Sequence, residues 1–510
     1  MKDENGTKYE KIYVRIDFLK LKCYYKNTQN YKEVADVKDT IVRLESIFIE
    51  NFKNVKSGQL SFVNNRKNFR TSILGLYGQN GSGKTALIDA IELLQQALKG
   101  QPVPDNFADY INVEAGCAVL HYEFSVSRDN EKYQVFYEFN LSAEKIEASQ
   151  NIAVDENEEV HYKPVISGEI LSYSYESKDL KIRKCPLIDT NATKVFTPVK
   201  KYACLIGKDK DVAMNLMVDK KVALGTSRSF VFSRELLMAM RNNQNGQNDA
   251  EYQRHMLLIE SLVRYGNYEL FVINTANAGI ISMNVLPLSF KYEDGLTGAV
   301  GNIFIPLEEA APIPESAVET VEHVISNMNV VLAQIIPGLT IRVETLGEMV
   351  FANGNKGVKI QLMSLKNKKA IPLKYESEGI KKIISILQLL IVVYNRSSIT
   401  VAVDELDAGV FEYLLGELLC IISEKGKGQL IFTSHNLRPL ETLDRGFIAF
   451  TTTNPSNRYI RMSNIKDNNN LRDFYFRDII LGEQGEELYD PTNNSEIALA
   501  FREAGEAIGS

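Results

Sequence analysis

Gly78-Gln79-Asn80-Gly81-Ser82-Gly83-Lys84-Thr85 has the residue types and the spacing to hold a polyphosphate. It reads G-x-x-x-x-G-K-[ST]. The glycines let consecutive backbone N–H groups turn inward around phosphate oxygens. A helix starting at the end of the loop adds its positive pole. Lys84 has the reach for terminal phosphates, and the Thr85 hydroxyl stands where a Mg²⁺ ligand is wanted. The flanks agree with this chemistry. Ile73–Tyr77 is apolar and strand-like, and Ala86–Leu94 follows a helical pattern, the strand–loop–helix context such a loop requires.

Three further groups could complete a phosphoryl-transfer site. Ile399–Glu405 is a β-branched strand ending in two acids. A strand of that type is buried and parallel, and ligands bind beyond its carboxyl end. Asp404 would hold Mg²⁺ through its water shell, and Glu405 would polarise the attacking water. Leu430–His435 is a second strand ending in polar groups; His435 could hydrogen-bond a γ-phosphate and report its presence. Ser377-Glu378-Gly379 opens the apolar helix Ile380–Tyr394. Ser377 suits an N-cap, and Gly379 permits close backbone approach. Two readings stand: ordinary capping, or a helix N-terminus presented to a phosphate.

The elements that must position these groups can be read from periodicity. Residues 8–25 alternate apolar and polar and predict strands, as do Ile41–Ile49 and Gly58–Val63 around a turn at Asn51–Asn54. Residues 86–99 predict a helix closed by Gly100. Residues 117–175, rich in Val, Tyr, Phe and Ile, predict antiparallel strands with turns at Ser127–Glu131 and Asp155–Glu158. Helices are predicted near Asp249–Tyr265 and 316–335, and short strands over 340–373. The division expected is 1–115 and 336–480 for the two parts of a nucleotide-binding head, 116–180 for an antiparallel β lobe, 181–335 for a mainly helical insertion, and 481–510 for an acidic tail.

The chain has 510 residues, 45% of them hydrophobic and 24% charged, as in an ordinary multi-lobed globular protein. It shows no apolar leader and no apolar run long enough to span a bilayer, so no membrane association is expected. Five scattered cysteines without C-x-x-C spacing speak against structural zinc and disulfides and for a reducing cytoplasm. Net charge is −7, which gives the whole chain no nucleic-acid footprint. Locally, residues 181–241 carry 13 Lys/Arg against 5 Asp/Glu, and 481–510 carry 7 acidic residues against Arg502 alone. Both fit solvated surface, or else a basic patch for nucleic acid and an acidic tail for a partner.

Together these residues resemble the ABC-type ATPase heads of the SMC, RecF and overcoming-lysogenization-defect (OLD) classes. The resemblance implies an α/β P-loop NTPase with a mixed sheet, an antiparallel β lobe and a largely helical middle insertion. Gly78–Thr85 resembles Walker A and Val401–Glu405 Walker B. Ser377–Gly379 is similar to the S-E-G signature of OLD-like ATPases, Asp407 to the D-loop acid, and His435 to the switch histidine. ATP and Mg²⁺ are the cofactors implied. In this class one head's signature meets the nucleotide of another, which implies a homodimer or higher homo-oligomer. The signature lacks the second Gly and the Gln of transporter cassettes. No convincing Q-loop glutamine is found; Tyr110-Ile111-Asn112 is the nearest stretch. Only 75 residues follow His435, without a D-x-D cluster, so no nuclease is expected there. The resemblance to stand-alone ATPases of bacterial anti-phage defence implies a separate effector protein, a nuclease or toxin. The alternative is a DNA-repair or chromosome-associated ATPase, with nucleic acid on 181–241.

Overall fold

The structure, a computed structural model, describes residues 40–508 apart from 65, 67–68, 147–160, 178–179, 245, 247, 275–284, 295–296, 352–353, 367–368, 463–469 and 482–484. The strands expected over 8–25 and the turn at Asp155–Glu158 lie outside the described residues. In chain order come β1 (Ile41–Phe52), β2 (Val55–Ser61), β3 (Ser72–Tyr77), α1 (Lys84–Leu98), β4 (Ala118–Arg128), β5 (Glu131–Lys145), β6 (Tyr162–Glu176) and β7 (Lys181–Asp189). Helices α2 (Val199–Leu205), α3 (Lys210–Gly225), α4 (Arg234–Arg241) and α5 (Ala250–Arg264) follow, then β8 (Leu270–Ile273), β9 (Val285–Asp294), β10 (Thr297–Pro306), β11 (Ala311–Pro314) and α6 (Val318–Ile335). The last part holds β12 (Leu339–Val350), β13 (Lys356–Lys366), β14 (Lys369–Pro372), α7 (Glu378–Asn395), β15 (Thr400–Val403), α8 (Glu412–Lys425), β16 (Gln429–Thr433), α9 (Pro439–Thr442), β17 (Ile448–Thr451), β18 (Tyr459–Ile460), α10 (Leu471–Leu481) and α11 (Asn494–Ile508).

The central sheet has the order β18-β17-β3-β16-β15-β8. Every pairing from β17 to β8 is parallel, and β18 is an antiparallel edge. Alternation along its strands divides the interior in two. Leu74, Leu76, Ala402, Ile431 and Ala449 point into one core, shared with α1 and the antiparallel sheet. Ile73, Val401, Val403, Leu430, Phe432 and Phe450 point into the other, shared with α6, α7 and α8. The sheet is thus covered on both faces, as parallel strands require, and the carboxyl ends of β3, β15 and β16 converge on one edge of the layer.

The second large sheet, β2-β1-β4-β5-β6-β7, is wholly antiparallel. Its extent differs from the division read from the sequence. It starts at Ile41 rather than near 116, because β1 pairs with β4 along nine residue pairs, Ile41↔Ser127 to Glu50↔Val119. It also runs past 180 to Asp189. The 181–335 segment is helical in α2–α5, between Val199 and Arg264, and again in α6, Val318–Ile335. Its later part supplies β8 to the central sheet, the β9–β10 hairpin, and β11, which joins β12–β14 in a smaller sheet.

Candidate nucleotide site

The loop Gly78–Thr85 joins β3 to α1 at the carboxyl edge of the central sheet. Gly81 and Gly83 adopt left-handed φ values of 76° and 93°, conformations that cost a side-chain-bearing residue steric energy. Gly78 has no room for a Cβ, which would come within 1.7 Å of Thr451 Oγ1. The first turn of α1 carries no side-chain cap, so its N–H groups face outward as an anion cradle.

Two neighbouring elements brace this loop. From the β1–β2 turn, Asn54 Nδ2 donates to the Gly81 carbonyl. From the β17–β18 hairpin, the Tyr459 hydroxyl donates to Gly83 O at 2.9 Å and Arg458 donates to Asn54 O at 2.6 Å. Ser82 Oγ donates to Gln79 O at 2.6 Å and also meets the Thr451 hydroxyl. Asn80 and Gly81 stand exposed at the tip.

Lys84 is buried, and its ammonium donates to the carbonyls of Gly78 and Gln79 at 2.8 and 2.9 Å. Burial pulls its pKa below the ordinary lysine value, while Asp404, Glu405 and Asp407 act in the opposite direction. Lys84 therefore lies in the field of all three carboxylates. Asp404 is buried at the end of β15, with its backbone N–H on Ile273 O at 2.9 Å. Glu405 follows, exposed and with φ of 49°.

One hydroxyl orients both acids. Thr433 Oγ1, at the end of β16, donates to Asp404 Oδ1 and accepts the Glu405 N–H at 2.8 Å. Asp407 is held next door: its Oδ2 accepts the N–H groups of His435 and Asn436 at 3.1 and 2.9 Å. Its buried Oδ1 has no hydrogen-bond partner among the described residues. The His435 ring itself is exposed. The structure thus brings the loop, Asp404, Glu405, Asp407 and His435 to one edge of the sheet.

Ser377 and Gly379 stand at the start of α7. Ser377 Oγ caps α7 by accepting the Ile380 N–H at 3.4 Å, the capping reading of the sequence. Gly379 presses on the backbone after Asp407: a Cβ there would lie 2.5 Å from Gly409 O. No hydrogen bond among the described residues joins either residue to Gly78–Thr85.

Three groups escaped the sequence reading. Thr433 is one. Lys382, on the first turns of α7, is buried with only 2% exposure. Burial lowers its pKa against the pull of Asp407, Glu405 and Asp404, so a second lysine faces the same carboxylates. Asn274 is the third. It follows β8, beside the Asp404 strand, and its amide donates to Asp89 Oδ1 of α1. Lys53 pairs with the same fully buried Asp89 and stacks on Tyr110 at 3.8 Å from the ring centroid. The sequence shows no convincing Q-loop glutamine, Tyr110-Ile111-Asn112 being only the nearest stretch. The structure ties Asn112 to Asn51 and Lys53, and places Asn274 directly after β8, at the strand ends.

The AAA ATPase domain description matches residues 43–438, most of the chain, including Gly78–Thr85, Ser377–Gly379, Asp404, Glu405, Asp407 and His435. The chain belongs to the AAA ATPase domain family. No curated protein sequence matches it. Among solved structures, the SMC head domain from Thermotoga maritima is similar at 14% identity and a TM-score of 0.33, over 83% of this chain and 100% of that one. The Smc head domain bound to the C-terminal domain of ScpA, from Pyrococcus furiosus, is similar at 12% identity and a TM-score of 0.35, over 83% and 97%. Within this AAA ATPase domain the donor set fits a nucleotide with a divalent ion. The described residues contain no cluster of three or more His, Cys, Asp or Glu able to cage a metal alone. Mg²⁺ bound with a nucleotide takes only one or two protein oxygens and keeps the rest as phosphate and water; Thr85 and Asp404 offer that number. No helix among the described residues is long and apolar enough to cross a membrane.

Proposed function

We propose that this chain binds Mg-ATP at Gly78–Thr85 and hydrolyses it to ADP and phosphate. The observation that carries this is the convergence of Lys84 on Asp404, Glu405 and Asp407 at adjoining strand ends, with Thr433 aligning the two acids. Mg-ATP supplies the transferable phosphoryl group and a divalent charge. Lys84 exchanges its two loop carbonyls for phosphate oxygens, a swap that trades neutral acceptors for anionic ones. Thr85 and Asp404 hold the ion, and Glu405, exposed on its left-handed turn, accepts a hydrogen bond from the attacking water. His435 faces the γ-phosphate. Such chemistry is mostly positioning and charge stabilisation. Lys84→Ala should abolish nucleotide binding, and Glu405→Gln should keep binding and lose phosphate release. Undiminished release by Glu405→Gln would remove the assignment.

The site is completed by a second copy, whose Ser377–Gly379 helix end would face the γ-phosphate. Support comes from the lack, among the described residues, of any hydrogen bond between these residues and their own loop, and from the exposed aromatics Tyr375, Phe411 and Tyr413 on the adjoining stretches of chain, 68%, 71% and 54% accessible. Light scattering on Glu405→Gln, in a form that is monomeric without nucleotide, tests it: the mass should double with Mg-ATP, and an unchanged mass would count against nucleotide-driven pairing. The proposed role is control of a separate nuclease or toxin in bacterial anti-phage defence, which rests on the likeness of the S-E-G signature to OLD-like ATPases. Loss of phage protection in Lys84→Ala cells is the expected result.

A second reading, a DNA-associated ATPase, is favoured by exposed Arg183, Lys184, Lys194, Lys200, Lys208, Lys210 and Lys221 on one stretch of chain. It predicts ATP-dependent DNA binding that weakens steeply with salt.

A further inference from the structure

The tail after α10 has two parts with opposite character. Its first part is pinned. Leu488 is buried in the core shared with α7. Glu486 accepts the side-chain amides of Asn454 and Asn457 at 3.0 and 2.8 Å, and Glu487 O accepts the Thr453 N–H at 2.8 Å. The pinned stretch ends at the nucleotide loop, where the Asp490 N–H donates to Gln79 Oε1 at 3.0 Å. Its second part is bare. Every residue from 491 to 505 is exposed, although 494 onward is helix α11, capped by Asn493.

A helix this short does not persist alone in water without a face to bury. Ile497, Phe501 and Ala504 fall on one side of α11 at i, i+4 and i+7, and Ile497 and Phe501 are 42% and 76% accessible. Glu496 and Glu503 stand beside that stripe. The complementary surface is on α3. Met214, Val218 and Val222 form a row at four-residue spacing, 71%, 56% and 45% accessible, with exposed Lys210 and Lys221 beside it. At 1.5 Å per residue both stripes are roughly 11–12 Å long. The exposed apolar rows match in length, and Glu496 and Glu503 beside one are opposite in sign to Lys210 and Lys221 beside the other, while Arg502 on α11 and Asp211 and Asp219 on α3 make both rims mixed.

Within one chain their supports pack in different cores. The anchor of the tail packs on the α7 side of the central sheet, whereas Leu216 and Ala223 of α3 pack in the core of the antiparallel sheet. We propose that α11 docks on α3 of a second copy of this chain, with Ile497 and Phe501 against Met214, Val218 and Val222, and Glu496 and Glu503 against Lys210 and Lys221. Two-fold symmetry would make the exchange reciprocal and closed. The contact needs no nucleotide, which separates it from the head pairing proposed above.

The test is the mass of the full-length chain by light scattering without nucleotide. The native chain should be a dimer or larger. Phe501→Glu and Val218→Glu, both at exposed positions and outside the nucleotide site, should each drop the mass to that of a monomer and leave phosphate release measurable, which certifies folding. Glu496→Lys with Glu503→Lys should weaken association, and adding Lys210→Glu with Lys221→Glu should restore it. Zero-length carbodiimide cross-linking of mixed ¹⁴N and ¹⁵N chains should join the 496–503 peptide of one chain to the 210–221 peptide of the other. A monomeric native chain, an oligomer indifferent to both Glu substitutions, or cross-links confined to single chains would overturn the proposal.

Discussion

Thr433 does at the residue scale what no motif announces. Its hydroxyl gives its proton to Asp404 and takes the Glu405 N–H, so two neighbouring acids with separate tasks share one alignment. Thr433→Val keeps shape and removes both bonds. Phosphate release should fall by about tenfold or more, the usual scale for a group that orients a ligand-bearing side chain, with nucleotide binding largely retained. Equal loss of binding and release would assign Thr433 to the loop instead. Lys382 carries a different prediction. Burial holds its pKa down, so its charge is kept at a cost to the folded state. Lys382→Met, similar in volume, should raise the melting temperature of the nucleotide-free protein and lower Mg-ATP affinity. A lower melting temperature would make Lys382 a packing residue. The loop and the two acids were legible from spacing because backbone geometry and metal chemistry dictate their types. Thr433, Lys382 and Asn274 were not, since a Thr ending a strand, a Lys in an apolar helix and an Asn after a four-residue strand acquire meaning only from what other segments bring beside them.

At the scale of single elements, α5 holds a pH response. His255 is fully buried beneath β6, with the Tyr173 hydroxyl and the Lys201 ammonium both 3.1 Å from Nε2. An ammonium can only donate, so Nε2 accepts and the neutral ring carries its proton on Nδ1. Burial, with Lys201 adding to it, lowers the His255 pKa to about 4, against the opposing pull of Glu251. The folded value lies below the unfolded one, so the stability this neutral histidine confers is complete above about pH 6.5 and is lost as pH falls through 4. The span is worth roughly 3 kcal/mol. His255→Gln should flatten the fall in melting temperature between those limits; an unchanged slope would place the acid sensitivity elsewhere. Helices of this kind were legible because Asp249 caps α5 and Ser377 caps α7. The extent of the antiparallel sheet was not. Nothing in Ile41–Phe52 says that its partner is β4 beyond the loop rather than β3 before it, since alternation fixes a face and not a neighbour.

For the whole molecule, the decisive matter is whether one chain makes a complete site. Gly379→Trp should disable the helix end that presses on Gly409, and Lys84→Ala the loop, leaving each protein inactive alone. If sites are shared between copies, mixing the two proteins rebuilds one intact site in each mixed dimer. About a quarter of native phosphate release should then return, the statistical share for free exchange between two-fold partners. No recovery in a mixture shown to exchange would confine the site to one chain.

The parallel sheet has a further consequence, in the order of synthesis. β3 carries the nucleotide loop, yet its two neighbours are β16, with Ser72 opposite Gln429, and β17, with Gly75 opposite Ile448. The strand leaves the ribosome with both edges unpaired while some 350 further residues are made, on the order of tens of seconds at ordinary elongation rates. The early product is therefore the β1–β4–β5 sheet, whose pairings are local, and the late product is the edge that carries the candidate nucleotide site, whose pairings are not. A product that stops before β16 would carry the complete loop sequence and still lack the strand end that brings Thr433 to Asp404 and Glu405.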